Sequence, residues 1–354
     1  MKLIMAVTVF FILFSSVSAY HIQFNTPVEA TTVSCSAYSC APFNFNMPTG
    51  YCMMKNNSTY YLRSCQSTTA TYCNPNNGSC IVPPAAVQAL AYPGEACALN
   101  SDCVYGNCYA YVCKGLGKGV NCTSHEQCDP GLYCSLNSTC QEQIAANGSG
   151  CRSSYDCKNY AGCNMTYSMD NGICFAYASL AIGQIVTDCA NGFSQMCKTG
   201  FCKVSDWFGN LGVCATAPTS VALPQACTIY TDCQGTDGTN LYLSSCSCGY
   251  NPKGTGYCAP FIGDAPGLNL ISAWKNAIVK TDNKCNTFRR GSTLCLSRVG
   301  ALSDITAATW NFNNYSKILE NDACIKATVT EEYWNALDSS QHLIAFAIIY
   351  SLLI

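Results

Sequence analysis

Cysteine is the residue type that offers this chain the most chemistry, with 30 occurrences in 354 residues. Thiolates hold zinc or iron–sulfur clusters and carry redox chemistry, but those roles use close pairs such as C-x-x-C. No C-x-x-C occurs here, and the nearest neighbours are Cys246 and Cys248. A dense and even set is instead typical of disulfide scaffolds in an oxidising compartment. We expect every cysteine to be oxidised, with no metal and no cofactor bound.

Histidines and carboxylates are too few or too scattered to form a recognisable catalytic set. A nucleophilic mechanism needs a histidine base, and His21 and His342 lie at the two ends of the chain. His125, in a short gap between two cysteines, is interpreted as an exposed polar residue of a stapled loop. Glu331 and Glu332 are adjacent and would point in different directions on a helix. We predict that the protein is not an enzyme.

The N-terminus has the pattern of a secretory signal peptide. Lys2 precedes an uncharged apolar run from Leu3 to Phe14, and Val17-Ser18-Ala19 supplies the small residues of a cleavage site. The run is shorter than the roughly 20 residues that a membrane-spanning helix needs. The signal peptide is predicted to cover residues 1–19, so that the mature chain begins at Tyr20.

Potential N-glycosylation sites agree with a secretory route. An Asn with Ser or Thr two positions later, and no intervening proline, is the acceptor pattern. Asn56 and Asn57 give overlapping sites, and we expect one of them, Asn57, to be used. The expected sites are Asn57, Asn77, Asn121, Asn137, Asn147, Asn164 and Asn314.

Charge and aromatic content narrow the range of partners. The chain has 18 basic and 20 acidic residues, a net charge of -2, and Arg289-Arg290 is its one adjacent basic pair. A nucleic-acid surface would need clustered Lys and Arg, so nucleic-acid binding is not expected. The 22 tyrosines, 14 phenylalanines and 4 tryptophans could form recognition surfaces. The preferred interpretation is that these aromatic residues cover the disulfides of thin modules.

The cysteines between residues 87 and 258 form a tandem repeat of four-cysteine units. Units 1 to 3 have similar gaps, and units 4 and 5 are looser, with Cys248 as an extra cysteine in unit 5. The units are, in order, Cys97, Cys103, Cys108 and Cys113; Cys122, Cys128, Cys134 and Cys140; Cys151, Cys157, Cys163 and Cys174; Cys189, Cys197, Cys202 and Cys214; and Cys227, Cys233, Cys246 and Cys258.

Residues other than cysteine support this alignment. An acid or amide precedes the second cysteine in four units, and a glycine precedes the third in four, at expected turn positions. These residues are Asp102, Gln127, Asp156 and Asp232, and Gly106, Gly131, Gly162 and Gly200. Three pairings of four cysteines exist; we predict first-to-third and second-to-fourth bonds, because crossed bridges hold a short chain better than nested ones.

The predicted fold class is a small disulfide-rich protein. Units of this size bury too little apolar surface to fold by packing alone, and closing a loop of about 15 residues contributes roughly 3 kcal/mol. We expect serial four-cysteine modules of β-hairpins or irregular turns that form an elongated rod. The expected divisions are the signal peptide at 1–19, a six-cysteine block at 20–86, tandem units at 87–258, a partly helical segment at 259–338 and a terminal signal at 339–354.

The segment after Cys258 has helix-like periodicity. Leu270, Trp274 and Ile278 would share one helix face, and Trp310 and Leu319 mark another. Only three cysteines follow Cys258, and unit 5 holds five, so two odd groups remain if the six-cysteine block closes on itself. This parity predicts a bridge from unit 5, preferentially from Cys248, to the segment between Cys285 and Cys324.

The unit pattern C-x5-C-x(4,5)-C, with Asp before the second cysteine and Gly before the third, resembles the Dickkopf N-terminal cysteine-rich repeat, EB-type modules and related modules of protist surface proteins. The resemblance covers about residues 93–258 and implies a secreted or surface protein that binds other proteins. Dickkopf proteins have two separate ten-cysteine domains, whereas this chain has serial four-cysteine units. The resemblance therefore does not imply Wnt antagonism and transfers no receptor-contacting residue.

The C-terminus has an apolar tail, Leu343 to Ile354, that runs to the last residue. Twelve residues span about 18 Å as a helix, less than a bilayer core of about 30 Å. Such a tail behind small residues is typical of a glycosylphosphatidylinositol (GPI) signal, and Asp338 is the expected anchor site. The alternatives are a short buried strand or helix and a shallow membrane segment. The sequence thus predicts a GPI-anchored coat or adhesion glycoprotein on the cell surface, held to the membrane by lipid and binding an unidentified protein. The alternative is a freely secreted ligand or antagonist of Dickkopf type.

Overall fold

The computed structural model describes residues 32–35, 51–56, 59–64, 72–74, 79–81, 90–165, 171–190, 192–204, 211–249, 251 and 253–319. Between residues 51 and 81 the description is limited to the backbone of four strands. The predicted signal peptide and C-terminal signal lie outside the described residues. So do Asn57, Asn77 and Asp338. Those expectations therefore remain predictions.

Two antiparallel hairpins are described before unit 1. β1 (Tyr51–Asn56) pairs with β2 (Thr59–Ser64), and β3 (Tyr72–Asn74) pairs with β4 (Ser79–Ile81). In the second hairpin Cys73 lies directly opposite Cys80.

Each of units 1 to 4 is a small antiparallel sheet of two or three strands, and unit 5 has two antiparallel sheets of three strands each. The predicted fold class, a small disulfide-rich protein of serial β modules followed by a partly helical segment, is confirmed. The strands are β5 (Cys108–Tyr109) and β6 (Val112–Cys113) in unit 1; β7 (Leu132–Cys134) and β8 (Cys140–Glu142) in unit 2; β9 (Ser149–Cys151), β10 (Ala161–Asn164) and β11 (Gly172–Ala176) in unit 3; β12 (Ile185–Val186), β13 (Cys202–Val204) and β14 (Gly212–Cys214) in unit 4; and β15 (Thr219–Ser220), β16 (Ala226–Cys227), β17 (Gln234–Thr236), β18 (Leu241–Leu243), β19 (Cys246–Cys248) and β20 (Gly256–Cys258) in unit 5.

The folded unit begins several residues before its first cysteine. In units 1 to 4 an apolar residue, Ala91, Leu116, Ile144 or Leu180, forms a parallel bridge with the second cysteine of its unit. Ala91, for example, donates its N–H to Asp102 O at 2.7 Å and accepts from Val104 N at 2.9 Å. The structural units therefore cover residues 90–115, 116–143, 144–178, 179–217 and 218–260, and we keep these limits below.

Three residues after that apolar residue, each of units 1 to 4 has a left-handed backbone. The residues are Gly94, Gly119, Asn147 and Gly183, with φ of 90°, 82°, 68° and 90°. In every case the N–H at this position donates to the carbonyl of the fourth cysteine of the unit. Glycine and asparagine are the residues that adopt this conformation most easily. The corresponding position in unit 5 is Pro224, which has no N–H to donate.

The acid or amide before the second cysteine organises a tight turn. Asp102 Oδ2 accepts from the N–H groups of Ala98 and Leu99, each at 2.8 Å. Asp156, Asp232 and Gln127 accept equivalent bonds from the chain three to four residues earlier. These side chains recur because they satisfy backbone donors at a turn, which is a structural role.

Among the glycines that precede the third cysteine, Gly106, Gly131 and Gly200 have φ of 64°, 84° and 69°, as expected of turn residues. Gly162 is different, because it lies in β10 opposite Phe175. A Cβ there would approach Tyr177 Cε1 to 2.8 Å. Gly162 is small in order to admit a ring, and its assignment as a turn residue was wrong.

All five units pair their first cysteine with the third and their second with the fourth, the order predicted from the sequence. The third and fourth cysteines face each other across the hairpin and bond outward to the first two. The bridges are Cys97–Cys108, Cys103–Cys113, Cys122–Cys134, Cys128–Cys140, Cys151–Cys163, Cys157–Cys174, Cys189–Cys202, Cys197–Cys214, Cys227–Cys246 and Cys233–Cys258.

Residues 261–319 form the helical C-terminal segment, with α1 (Ala265–Lys280), α2 (Thr293–Arg298) and α3 (Leu302–Asn313). Leu270, Trp274 and Ile278 share the buried face of α1, as their spacing predicted. They pack against the disulfides and apolar side chains of unit 4 and against α3. Together these groups form the largest apolar core among the described residues. No helix in the described part of the chain is both long enough and apolar enough to cross a bilayer.

The connection from α1 to α2 is held against units 1 to 3 by buried polar side chains. Asn286, fully buried, donates to the carbonyls of His125, Glu126 and Cys128 at 2.7–3.2 Å. Asn159 of unit 3 donates to Thr281 O and Cys285 O, each at 3.0 Å, at the C-terminal end of α1. Because these buried amides have hydrogen-bond partners only in this arrangement, they fix how the C-terminal segment docks on the units.

The sequence predicted a disulfide from Cys248 of unit 5 to the C-terminal segment, and the predicted partner was wrong. Cys248 bonds to Cys35, and Cys285 bonds to Cys295 within the segment. The parity argument assumed that the six-cysteine block closes on itself, but Cys35 leaves that block to join β19. Val33 N also donates to Thr228 O at 2.7 Å, so residues 32–35 lie along unit 5. Cys324 lies outside the described residues.

Candidate interaction surface

Close groups of three cysteines in units 1, 2, 3 and 5 have sulfur spacings that could hold a metal ion. Each of those sulfurs is already consumed in a disulfide, and a disulfide sulfur is not the thiolate that a metal needs. These groups arise because crossed bridges bring four sulfurs together.

His125 is half-buried between units 2 and 3, so its interpretation as an exposed loop residue was wrong. Its Nδ1 accepts from Cys134 N at 3.2 Å, and its ring lies beside those of Tyr133 and Tyr155. Burial lowers the pKa of His125, and the nearby Asp156, 4.0 Å away, only partly offsets that effect. A neutral imidazole that accepts a backbone hydrogen bond stabilises the turn.

Glu95 is the most deeply buried carboxyl group of the described residues and joins unit 1 to α2. Its Oε2 accepts from Tyr92 N at 2.8 Å, and its Oε1 accepts from Ser292 Oγ at 2.5 Å. Arg289 Nε lies 3.8 Å from Oε1, with its guanidinium over the Tyr92 ring. Burial raises the pKa of Glu95 despite these partners. The group is enclosed, and it holds the C-terminal segment in place.

Among the described residues, the hairpin of unit 1 presents an exposed aromatic surface. β5 and β6 pair Tyr109 with Val112, so Ala110 and Tyr111 form a two-residue turn. Both strands are stapled, because Cys108 and Cys113 bond to Cys97 and Cys103. We call Tyr109, Ala110 and Tyr111 the tyrosine tip.

The turn of the tyrosine tip has an unfavourable backbone for its residues. Ala110 and Tyr111 have φ of 50° and 62°, as in the type I′ turn that Asn-Gly ordinarily occupies. A left-handed conformation costs an ordinary L-residue about 1–2 kcal/mol. The disulfides and the bond from Cys97 N to Tyr111 O, at 3.1 Å, hold the turn in this shape.

Packing of the Tyr111 side chain within the protein does not offset the conformational free energy of the turn. Tyr111 is 78% exposed and Tyr109 is 69% exposed, and Leu99 of the same unit is 64% exposed. Tyr105 of the same unit is also exposed, so every tyrosine classed as exposed among the described side chains belongs to unit 1.

The interpretation that aromatic residues cover the disulfides holds for the core and is wrong for unit 1. Tyr177 and Trp274 pack edge to face at 4.7 Å in the core beneath unit 4. Tyr109 and Tyr111 instead project into solvent from unit 1, in which the Cys103–Cys113 bridge is buried and the Cys97–Cys108 bridge is half-buried. A sequence signal for this surface was present, because residues 103–113 carry no charge while the hairpin turn lacks Asn and Gly.

The expected glycosylation sites among the described residues differ in how exposed their side chains are. Asn121, Asn137 and Asn147 are exposed, with Asn121 beside Thr139 on unit 2. Asn164 is 5% exposed, and its Nδ2 donates to Ile185 O at 2.8 Å. This burial disfavours a glycan on Asn164, whose glycosylation, like that of the other expected sites, stays a prediction. Asn314 is half-buried and donates to Trp310 O at the end of α3.

The chain is 31% identical over 186 residues to cell-cell adhesion glycoprotein 64 of Heterostelium pallidum. The match spans 51% of this chain and 51% of that protein, so it reaches about half the relative's length. No family model matches the chain, and the Dickkopf or EB assignment is not confirmed. No solved structure matches it either. The similarity supports an extracellular, cysteine-rich protein with a role at the cell surface.

Proposed function

We propose that this protein is a GPI-anchored glycoprotein of the cell surface that mediates adhesion between cells. The observation that carries the proposal is the similarity to an adhesion glycoprotein, in a chain built of serial stapled units. Disulfide-stapled units suit a surface exposed to proteases, because two crossed bridges restrict the unfolded chain of each unit and so reduce the fraction that is open to cleavage. The exposed tyrosine tip offers a recognition surface that the monomer leaves unused.

The membrane attachment is tested on cells that do not otherwise aggregate and that display the full chain. Phosphatidylinositol-specific phospholipase C is expected to release the protein and to disperse cell clusters. Heat-inactivated enzyme is the control. A chain truncated after His342 lacks the apolar tail and is expected in the medium. Full-length protein that stays on the cells after active enzyme would exclude the lipid anchor, and full-length protein found in the medium would favour the secreted alternative.

The adhesion itself is measured as the rate at which expressing cells cluster in stirred suspension. Cells with the full chain are expected to cluster faster than cells with an empty vector at equal density. Equal rates, with the protein shown on the surface by antibody, would refute the adhesive function independently of how the chain is anchored.

A further inference from the structure

The described ends of the chain lie together at one end of the series of units. Residues 32–35 are tied to unit 5 by the Cys35–Cys248 bridge, and residues 315–317 lie against β19 and β20. Units follow one another in contact, as in the Lys203–Asp237 ion pair of 2.7 Å between units 4 and 5. The described part of the chain therefore both begins and ends beside unit 5. Unit 1 is at the other end of the series.

The tyrosine tip, in the first unit of the series, combines two highly exposed rings with a strained turn. Strained backbone persists where surrounding structure enforces it, and such sites cluster where a ligand is engaged. Tyrosine provides large contact area with few rotatable bonds, which is why it is enriched at recognition surfaces.

The chemistry of the tip is self-complementary. Residues 103–113 include no charged side chain, so two copies meet without charge repulsion. A tyrosine hydroxyl both donates and accepts, and rings pack on rings in offset or edge-to-face geometry. A two-fold contact places the same patch on both partners, and this patch fits that requirement. A charged partner would find no complementary charge in this stretch.

We infer that the tyrosine tip of unit 1 docks against the tyrosine tip of a second copy of this chain on an apposed cell. This inference rests on the proposed adhesive function and names its partner. The patch is small compared with the roughly 1,200–2,000 Å² that a stable complex buries. One contact is therefore weak, and adhesion comes from many contacts between two surfaces.

The test uses the full chain on the cells described above. The variant Tyr109→Gln/Tyr111→Gly removes both rings, and glycine relaxes the left-handed turn, so folding is not compromised. Clustering is expected to slow about tenfold or more, as for loss of aromatic anchors at the centre of an interface. The matched control, Ile182→Gln/Val221→Gln, removes two similarly exposed apolar side chains from units 4 and 5 and is expected to cluster like wild type.

A mixing experiment identifies the partner. Expressing and non-expressing cells carry different dyes, and clusters are expected to contain expressing cells alone. Mixing wild-type with tip-variant cells is expected to exclude the variant cells. Non-expressing cells inside the clusters would overturn the second copy as partner, and a tip variant that clusters at the wild-type rate would overturn the tip as the surface. In both cases adhesion by the wild type would leave the proposed function standing; if wild-type cells do not cluster, the proposed function fails first.

Discussion

At the scale of single residues, the buried polar side chains of this protein join parts of the chain that are far apart in sequence. Glu95 reaches Ser292, Asn159 reaches Thr281, and Arg290 donates to Tyr177 Oη at 2.6 Å. Each pair connects a stapled unit with the helical segment. Because these groups are enclosed, their loss would leave unsatisfied partners, which costs about 1–3 kcal/mol for each buried group.

Glu95 makes a prediction about pH. Its folded pKa is raised above the ordinary value of 4.5 by burial, so the folded state holds the proton more tightly than the unfolded chain does. Its contribution to stability is therefore complete below pH 4.5 and is lost as pH rises through the raised pKa. The stability of wild type relative to Glu95→Gln is expected to fall with rising pH, measured by urea unfolding followed by tryptophan fluorescence.

Glu142→Gln is the control for this experiment, since its exposed carboxylate pairs with Lys118 at 2.7 Å. That hydrogen bond and charge lower the pKa of Glu142, so any contribution is present at neutral pH and is lost on acidification. The stability of wild type relative to each variant should therefore change with pH in opposite directions for Glu95→Gln and Glu142→Gln. The change for Glu142→Gln should be small, because salt and water screen the exposed ion pair with Lys118. A wild-type advantage over Glu95→Gln that grows with pH would contradict the assignment.

At the scale of the elements, cysteine spacing predicted the hairpins and their crossed bridges because four sulfurs at these intervals leave few compact solutions. The buried face of α1 was readable from Leu270, Trp274 and Ile278. The start of each unit was not, because the spacing between the left-handed residue and the first cysteine varies from unit to unit. Gly94 is three residues before its cysteine and Gly183 is six. The tyrosine tip was also missed, since composition cannot distinguish a ring that covers a disulfide from one that projects.

Gly94 and Gly106 give a matched pair for the docking of the C-terminal segment. Both have positive φ, so alanine at either position incurs backbone strain of about 1 kcal/mol. A Cβ at Gly94 would also approach Lys284 O to 2.4 Å, whereas at Gly106 it would meet nothing within 4 Å. Gly94→Ala is expected to be more destabilising by about 1–3 kcal/mol, as for overpacking.

The readout is hydrogen exchange, which resolves where the loss occurs. Gly94→Ala should speed exchange of the amides in residues 281–298, while Gly106→Ala should leave them at wild-type rates and affect unit 1 alone. Equal effects of the two substitutions on residues 281–298 would mean that unit 1 does not support the docked segment.

At the scale of the whole molecule, both described ends of the chain are attached to unit 5. Cys35 bonds to Cys248, and residues 315–317 lie against β19 and β20. Sequence parity correctly required that some bridge cross between blocks, because unit 5 holds an odd number of cysteines. It could not identify the block, since spacing carries no information about bridges that span 213 residues. The Cys35–Cys248 bond shows that the N-terminal block is the partner of unit 5. The N-terminal block is therefore left with five cysteines, an odd number.

The final prediction concerns Cys324. Twelve bridges join 24 cysteines among the described residues, and 30 minus 24 leaves Cys40, Cys52, Cys65, Cys73, Cys80 and Cys324. Five of these are in the N-terminal block, an odd number, so full oxidation requires a bond from that block to Cys324. Cys73 faces Cys80 across a hairpin, as the third and fourth cysteines do in every unit. By that analogy Cys52 and Cys65 are their partners, and Cys40 is left for Cys324.

Peptide mapping without reduction is expected to recover a Cys40–Cys324 peptide. Cys324→Ser should expose a single thiol, at Cys40, and the double variant Cys40→Ser/Cys324→Ser should expose none. The thiol in the single variant would contradict the assignment if it mapped to Cys52, Cys65, Cys73 or Cys80, and a disulfide-linked dimer of wild type would contradict the parity argument itself. Because Cys35–Cys248 already links the two parts of the chain, the Cys40–Cys324 bond closes a loop of about 80 residues, 5 from Cys35 to Cys40 and 76 from Cys248 to Cys324. Such a loop stabilises by roughly 4 kcal/mol in the chain-entropy model, so the double variant should also unfold at lower urea than wild type.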